Sequence, residues 1–469
     1  MKLRFGALLA TLGLLLAGTS AMAETKLPAV LSDHMVVQRG KPIQVWGWDD
    51  PGTEVTVSLG DETRTAKADD NGRWAVQLEA RQAGGPHEIK VVGSSERTLT
   101  DILIGDVWLC SGQSNMEWTV AGSDNAQAEI AAADHPTIRH IKIPHVPSAE
   151  PQSDVGSPGW TVCGPSTVGE YTAVGYFFAR HIQTEVDVPI GLIGSNWGGT
   201  RIEPWIPPQG FQSIPELKDI TDQLDNFPSV NDQGQVNHQT PLALYNGMIS
   251  PLLPYEIRGA IWYQGESNNG EGMLYHHKMR ALINGWRDLW HNDDLPFYFV
   301  QLAPFRYGRP DQLPGIWEAQ TATLEVPHTG MAVTTDITML QDIHPRNKQD
   351  VGKRLALWAL ADSYGKTDLV YSGPLYREMK TDGNKVVLHF DHVGSGLKSL
   401  DGEALTWFTI AGEDGNFVEA KAEIAGDTVV VWADGVAAPK AVRMGWHEEA
   451  TPNLGNAEGL PASPFRTDK

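Results

Sequence analysis

The chain has 469 residues, with 36 basic against 58 acidic side chains and a formal charge of -22, a balance that argues against nucleic acid and anionic lipid surfaces as partners. Its 41% hydrophobic residues supply ample core, and at roughly 100 to 200 residues per domain the length predicts two to four domains. Two cysteines, Cys110 and Cys163, exclude a disulfide scaffold; they either pair in an oxidising compartment or stand as two buried thiols.

At the start, Lys2 and Arg4 precede an apolar stretch from Ala7 to Leu16, and Ala21-Met22-Ala23 offers a small-residue cleavage site. This pattern predicts a signal peptide over residues 1–23 and an exported protein, periplasmic or secreted. The stretch is shorter than the about 20 residues of a spanning helix and no later run reaches that length, so no membrane span is expected. Residues 24–100 read as short alternating segments, among them "QVWGW", "EVTVSLG" and "RWAVQLEA", parted by the turn clusters "DDPGT" and "DDNG". They predict a small antiparallel β-sandwich-like domain without chemistry of its own.

From 101 to 368 the texture changes. Apolar runs of strand length, "VWLC" (107–110), "IGLIG" (190–194), "GAIWYQ" (259–264), "FYFVQL" (297–302) and "GMAVTTD" (330–336), alternate with helix-period segments at 167–183 and 273–290. The alternation predicts an α/β domain whose parallel sheet is covered on both faces. Residues 203–256, rich in proline and polar side chains, are too long for an ordinary connection and predict an insertion or lid over the site. Residues 369–469 return to β texture, with "NKVVLHF" and "TVVVWA", and predict a C-terminal β-rich domain.

Sites in open parallel sheets lie beyond the carboxyl ends of strands, and polar, glycine-rich motifs follow most of these strands. A serine hydrolase needs a nucleophilic serine, a neutral histidine, an acidic group to orient the imidazole, and preorganised donors for an oxyanion. Ser114, coming off the first strand, is the candidate nucleophile, and its own N–H can face the oxyanion. Gly199 offers an N–H that no side chain obstructs, and Gln264 or Asn268 a side-chain amide. His344 is the candidate base; Pro345 suits the first position of the helix that follows, which would set the imidazole at a helix N-terminus. Asp342 or Asp336 is the candidate acid, and a water or backbone carbonyl could also orient the ring. Each element alone is weak, and the joint placement after successive strands carries the reading.

The segments "GQSNMEW", "GSNWGGTRIEPW", "IWYQGESN" and "DIHPRNKQDVG" resemble, in order, the blocks of the sialate O-acetylesterase family within the SGNH-hydrolase superfamily. The resemblance runs through nearly the whole mature chain. It implies a flavodoxin-like, three-layer α/β/α hydrolase domain that removes O-acetyl groups from carbohydrates without a metal or other cofactor. It also implies Ser114 as nucleophile, His344 as general base, and Gly199 with Gln264 as oxyanion partners. Two departures from the wider superfamily stand out: Gln113 occupies the usual aspartate position, and Gln341 occupies the usual acid position, with Asp342 one residue nearer the histidine. The Gly-x-Ser-x-Gly elbow of α/β-hydrolases is not met, because Met116 stands at its second glycine.

The alternative is a carbohydrate-binding protein that keeps the fold without the chemistry. The β-rich flanks and 16 tryptophans fit it, since exposed indoles stack on sugars, although core tryptophans are the plainer account. A metal site finds no support: His135, His140 and His145 recur at five-residue intervals, which do not align on one helix face. Glu266 has no second carboxylate at a matching strand end except Asp336 or Asp342, which leaves glycoside cleavage as the weak alternative; with Asn196, Arg201 and Asn268 it is a candidate for holding the loop or binding sugar. Arg201 and Glu203 equally could pair with each other. The acetylated sugar stays open between sialic acid, for which Arg201 is the cation, and neutral plant polysaccharides such as xylan. Oligomeric state is not legible.

Overall fold

The computed structural model describes residues 24–468, so the expected signal peptide at 1–23 lies outside the described residues. Seven strands build the central sheet: β1 (Glu96–Gly112), β2 (Ile138–Lys142), β3 (Trp160–Val162), β4 (Ile190–Asn196), β5 (Gly259–Tyr263), β6 (Phe297–Val300) and β7 (Thr329–Ala332). Their order is β7-β6-β5-β1-β4-β2-β3, and every pairing is parallel except that of β2 with the edge strand β3.

Four helices matter for the site: α1 (Ala173–Glu185), α2 (Met273–Leu289), α3 (Gln312–Ala322) and α4 (Lys348–Asp362). Trp108 and Cys110 share one face of β1 because side chains alternate. On that face Trp108 meets Phe178 of α1 at a ring separation of 4.9 Å, and a Cβ on Gly352 of α4 would strike Phe177. Trp262 is level with Ser111 and therefore points the other way, where it meets Trp286 of α2 at 5.9 Å. Helices thus cover both faces, which is why β1 is buried without interruption from Ile102 to Gly112 and reads as a continuous apolar run.

That strand also revises the expected boundary at 100/101. Its first half pairs antiparallel with the strand Gly84–Val92, and Leu103–Gly105 pair parallel with Val36–Gln38. The N-terminal β-module and the α/β domain therefore share one strand, and their apolar side chains form one continuous core that includes Val45, Trp74 and Ile261. The sequence pattern changes at this point because burial changes from one face to two, while the backbone runs on.

The segment 203–256 is more than a lid. It folds into short helical turns whose Trp205, Phe211, Leu244 and Met248 are fully buried, while Glu203 and the stretch around His238 and Gln239 reach the site. The C-terminal module has two four-stranded sheets with a core of its own, including Val386, Leu388, Phe408 and Val442. It is pinned to the α/β domain by Glu448, whose carboxylate accepts the N–H groups of Tyr307, Gly308 and Arg309 at 3.0, 2.8 and 3.1 Å. Cys110 and Cys163 are both buried free thiols.

Candidate active site

β1 delivers the serine through a close backbone crossing. Gly112 has φ +132, and a Cβ there would lie 2.2 Å from the carbonyl oxygen of Tyr263 on β5; only glycine fits both the angle and the space. The chain then makes a single helical turn, Ser114–Glu117. As the first residue of that turn, Ser114 has no intrahelical acceptor for its N–H.

The loop after β7 brings the histidine to it. The Oγ of Ser114 and Nε2 of His344 are 2.8 Å apart, and Trp118 stacks on the imidazole at 5.0 Å and 17°. His344 is not at the start of a helix: α4 begins at Lys348, with Asn347 as its cap accepting from the Asp350 N–H. The imidazole nevertheless has a lowered proton affinity, through burial first and the nearby Lys348 second, while Asp342 acts in the opposite sense.

The two candidate acids separate cleanly. Asp342 Oδ1 accepts the backbone N–H of His344 at 2.9 Å and lies 3.6 Å from its Nδ1, a distance of charge contact rather than of a formed hydrogen bond. Asp336 is engaged elsewhere, in a two-pronged pair with Arg354 at 2.7 and 2.6 Å.

The glycine loop after β4 closes on the serine. A Cβ on Gly198 would meet Ser114 Cβ at 3.2 Å, and the Gly198 N–H donates to Glu117 Oε2 at 2.8 Å. Gly199, at φ +75, is held through its carbonyl by Gln239 and Ser267, both at 3.0 Å. Its N–H has no partner among the described residues.

Gln264 departs from the expectation of a free oxyanion donor. It is fully buried, and its Nε2 donates to Thr200 O at 3.1 Å and Asn268 Oδ1 at 2.8 Å, while its Oε1 accepts from Tyr275 at 2.8 Å. Both amide protons are used, so Gln264 ties the loops after β4 and β5 together. Asn268 is likewise internal, accepting from the Ile202 N–H and donating to Glu203. Asn196 donates to Cys110 O at 3.1 Å beneath the sheet edge.

The model of the sialic acid-specific acetylesterases, a family of carbohydrate esterases, matches residues 104–361. The sialate O-acetylesterase of Homo sapiens is 32% identical over 419 residues, covering 81% of this chain and 79% of its own; that of Mus musculus is 32% identical over 420 residues, covering 76% of each. A crystal structure of a carbohydrate acetylesterase from Xanthomonas citri superposes with a TM-score of 0.87 at 42% identity, over 95% of this chain and all of that one. The chain belongs to this family. It is a carboxylic ester hydrolase of the carbohydrate esterase type.

Around Ser114 of this esterase the charged rim is largely self-neutralised. Arg201 pairs with Glu203 at 2.8 Å and with Glu271, and donates to Ser267 O at 3.2 Å. Lys278 bridges the same two carboxylates at 2.7 Å each. Of the two readings of Arg201 and Glu203, mutual pairing is the one realised. Trp197 forms an aromatic shelf, with His145 and His238 stacked on it at 4.5 and 4.6 Å, whereas most other tryptophans lie in the core.

Three esterase residues escape a reading by motif. Trp118 packs on the His344 ring from four positions beyond Ser114. Asn115 donates to Glu266 Oε1 at 2.6 Å and to Ile343 O at 3.0 Å. Lys348 donates to Asn115 Oδ1 at 2.5 Å. A signal for the last was present: a lysine in the first turn of a helix opposes the helix dipole.

Proposed function

We propose that the protein releases acetate from O-acetylated carbohydrates through an acyl-enzyme on Ser114, with His344 as general base and Asp342 as the orienting acid. Ser114 Oγ attacks the acetyl carbonyl carbon while its proton passes to His344 Nε2. The oxyanion is met by the N–H groups of Ser114 and Gly199. Collapse breaks the ester bond, and the sugar oxygen leaves with the proton from His344. A water then loses its proton to His344 and attacks the acetyl-enzyme, acetate departs, and the proton returns to Ser114.

The single observation that carries this reading is the run from Ser114 Oγ through the imidazole to Asp342, 2.8 Å and 3.6 Å, beside the N–H of Gly199, which has no partner among the described residues. The substrate favoured is a neutral acetylated sugar of the acetyl-xylan kind, because Arg201, the rim cation suited to a sialate carboxylate, is already bound by two glutamates. Export of the mature chain forms part of the same proposal, supported by the charged and apolar pattern of residues 1–23.

Acetate release from acetyl-xylooligosaccharides, O-acetyl sialic acids and an aryl acetate, for the native enzyme and Ser114→Ala, tests it. Loss of all release in Ser114→Ala with sugar binding retained is expected, together with faster turnover of the neutral oligosaccharides. Faster turnover of sialate esters overturns the substrate, and an active Ser114→Ala overturns the mechanism.

A further inference from the structure

Lys348 sits in the floor of the site with no exposed surface. Its Nζ donates to Asn115 Oδ1 at 2.5 Å and lies 5.1 Å from the centre of the Tyr263 ring. Burying an ammonium is costly unless it is paired, and no carboxylate touches this one among the described residues. Its countercharge, Glu266, lies on the far side of the Asn115 amide, accepting from Asn115 Nδ2 at 2.6 Å. The amide dipole is aligned between the two charges, oxygen toward the lysine and nitrogen toward the glutamate.

The other Asn115 proton goes to the carbonyl of Ile343 at 3.0 Å. Asn115 adjoins Ser114 and Ile343 adjoins His344, so one carboxamide fastens the neighbour of the nucleophile to the neighbour of the base. We propose that Lys348 is a positioning residue of the esterase: through Asn115 it locks the serine turn to the histidine loop, and it holds its charge 6.0 Å from the Trp118 ring that stacks on the imidazole. The inference rests on the roles proposed above for Ser114 and His344.

The electrostatics are consistent with that assignment. The charged groups acting on His344 are Lys348, which lowers its proton affinity, and Asp342, which raises it; the Ser114 and Trp118 side chains that touch it carry no charge. Burial brings the Lys348 ammonium down to about 7, against the pull of Glu266 and Asp342. Burial raises the Glu266 carboxyl, and its bonds to its own backbone N–H and to Asn115, with the charge of Lys348, oppose the rise. Lys348 and Asp342 thus set the base between them, one from below and one from its own loop.

Lys348→Met and Glu266→Gln test the inference, with kcat and KM measured across pH on an aryl acetate. Lys348→Met removes the charge and the bond to Asn115. It is expected to lower kcat by about tenfold or more, with KM within about twofold because Lys348 lies beneath the reacting groups, and to move the acid limb of kcat/KM to higher pH. Glu266→Gln keeps an acceptor for Asn115 but loosens the hold of Lys348 on its proton. It is expected to keep the plateau kcat within about threefold and to move the acid limb the same way by less. An acid limb unmoved in both variants overturns the inference, as does a Lys348→Met enzyme whose kcat and KM both worsen with the limb in place, the outcome of a purely structural role. If Lys348→Met does not fold, the limb of Glu266→Gln decides. Activity surviving in Ser114→Ala or His344→Ala would instead overturn the mechanism on which the inference rests.

Discussion

Replacing Asp342 by asparagine removes a charge while keeping an oxygen that can accept the His344 N–H, a bond of 2.9 Å in the native loop. The loop should hold its shape, and the loss should fall on the imidazolium that forms during attack. Opposite charges about 4 Å apart interact by about 4 kcal/mol at an effective dielectric of 20. Asp342 is 34% exposed, so solvent reduces this to about 2 to 3 kcal/mol, or roughly 30- to 150-fold in kcat. Asp336→Asn is the matched control. It leaves the buried Arg354 with one fewer charged partner, so the expected effect is a destabilisation of about 2 kcal/mol with kcat nearly unchanged. Initial rates of acetate release and urea unfolding on both variants give the two numbers. A kcat for Asp342→Asn within about threefold of native, or a larger kcat loss in a folded Asp336→Asn, would refute the assignment.

Three further outcomes follow from the geometry. Because burial and Lys348 depress proton uptake by His344, and because only the neutral imidazole can accept the serine proton, the acid limb of kcat/KM should lie below the ordinary histidine value of about 6.5; a pH-rate profile with its limb above that value contradicts the reading. Gly112→Ala places a Cβ against Tyr263 at a backbone angle that side chains avoid, so urea unfolding should show a loss of about 1 to 3 kcal/mol or more, with kcat reduced as Ser114 shifts; unchanged stability counts against the close crossing. Burial pushes the Glu203 carboxyl up, but Lys278 and Arg201 draw it further down, to about 2. A depressed folded-state value gives stability that is present above the unfolded value of about 4.3 and is lost as pH falls toward 2, on the order of 3 kcal/mol in all. Comparing native and Glu203→Gln unfolding at pH 7 and pH 3 checks this: the gap between them should shrink at the lower pH.

How much of this was legible in the sequence differs from residue to residue. Ser114, His344 and Gly199 could be read because each follows a strand of the parallel sheet, and strands buried on both faces leave continuous apolar runs that a period argument detects. The helices at 173–185 and 273–289 were legible for the same reason. The boundary near residue 100 was misplaced because β1 crosses it unbroken, and a change in burial resembles a change of domain. The segment 203–256 read as an insertion or lid because its helical turns are too short to show a period, and the burial of several of its side chains in the core is not visible in the sequence.

The sequence by itself determined the order of the strands along the chain and the polar loops that follow them, with Ser114 and His344 as candidates within those loops, since all of these are local patterns. Tertiary structure alone separated Asp342 from Asp336, because both lie within ten residues of His344 and only the fold sets one beside the imidazole and pairs the other with Arg354. It also turned Gln264 from a free donor into a tie between loops, and put Lys348, Asn115 and Glu266 in one buried line. Partners such as these lie 151 and 233 residues apart in the chain, and a hydrogen bond between them exists only once the sheet has set its loops side by side.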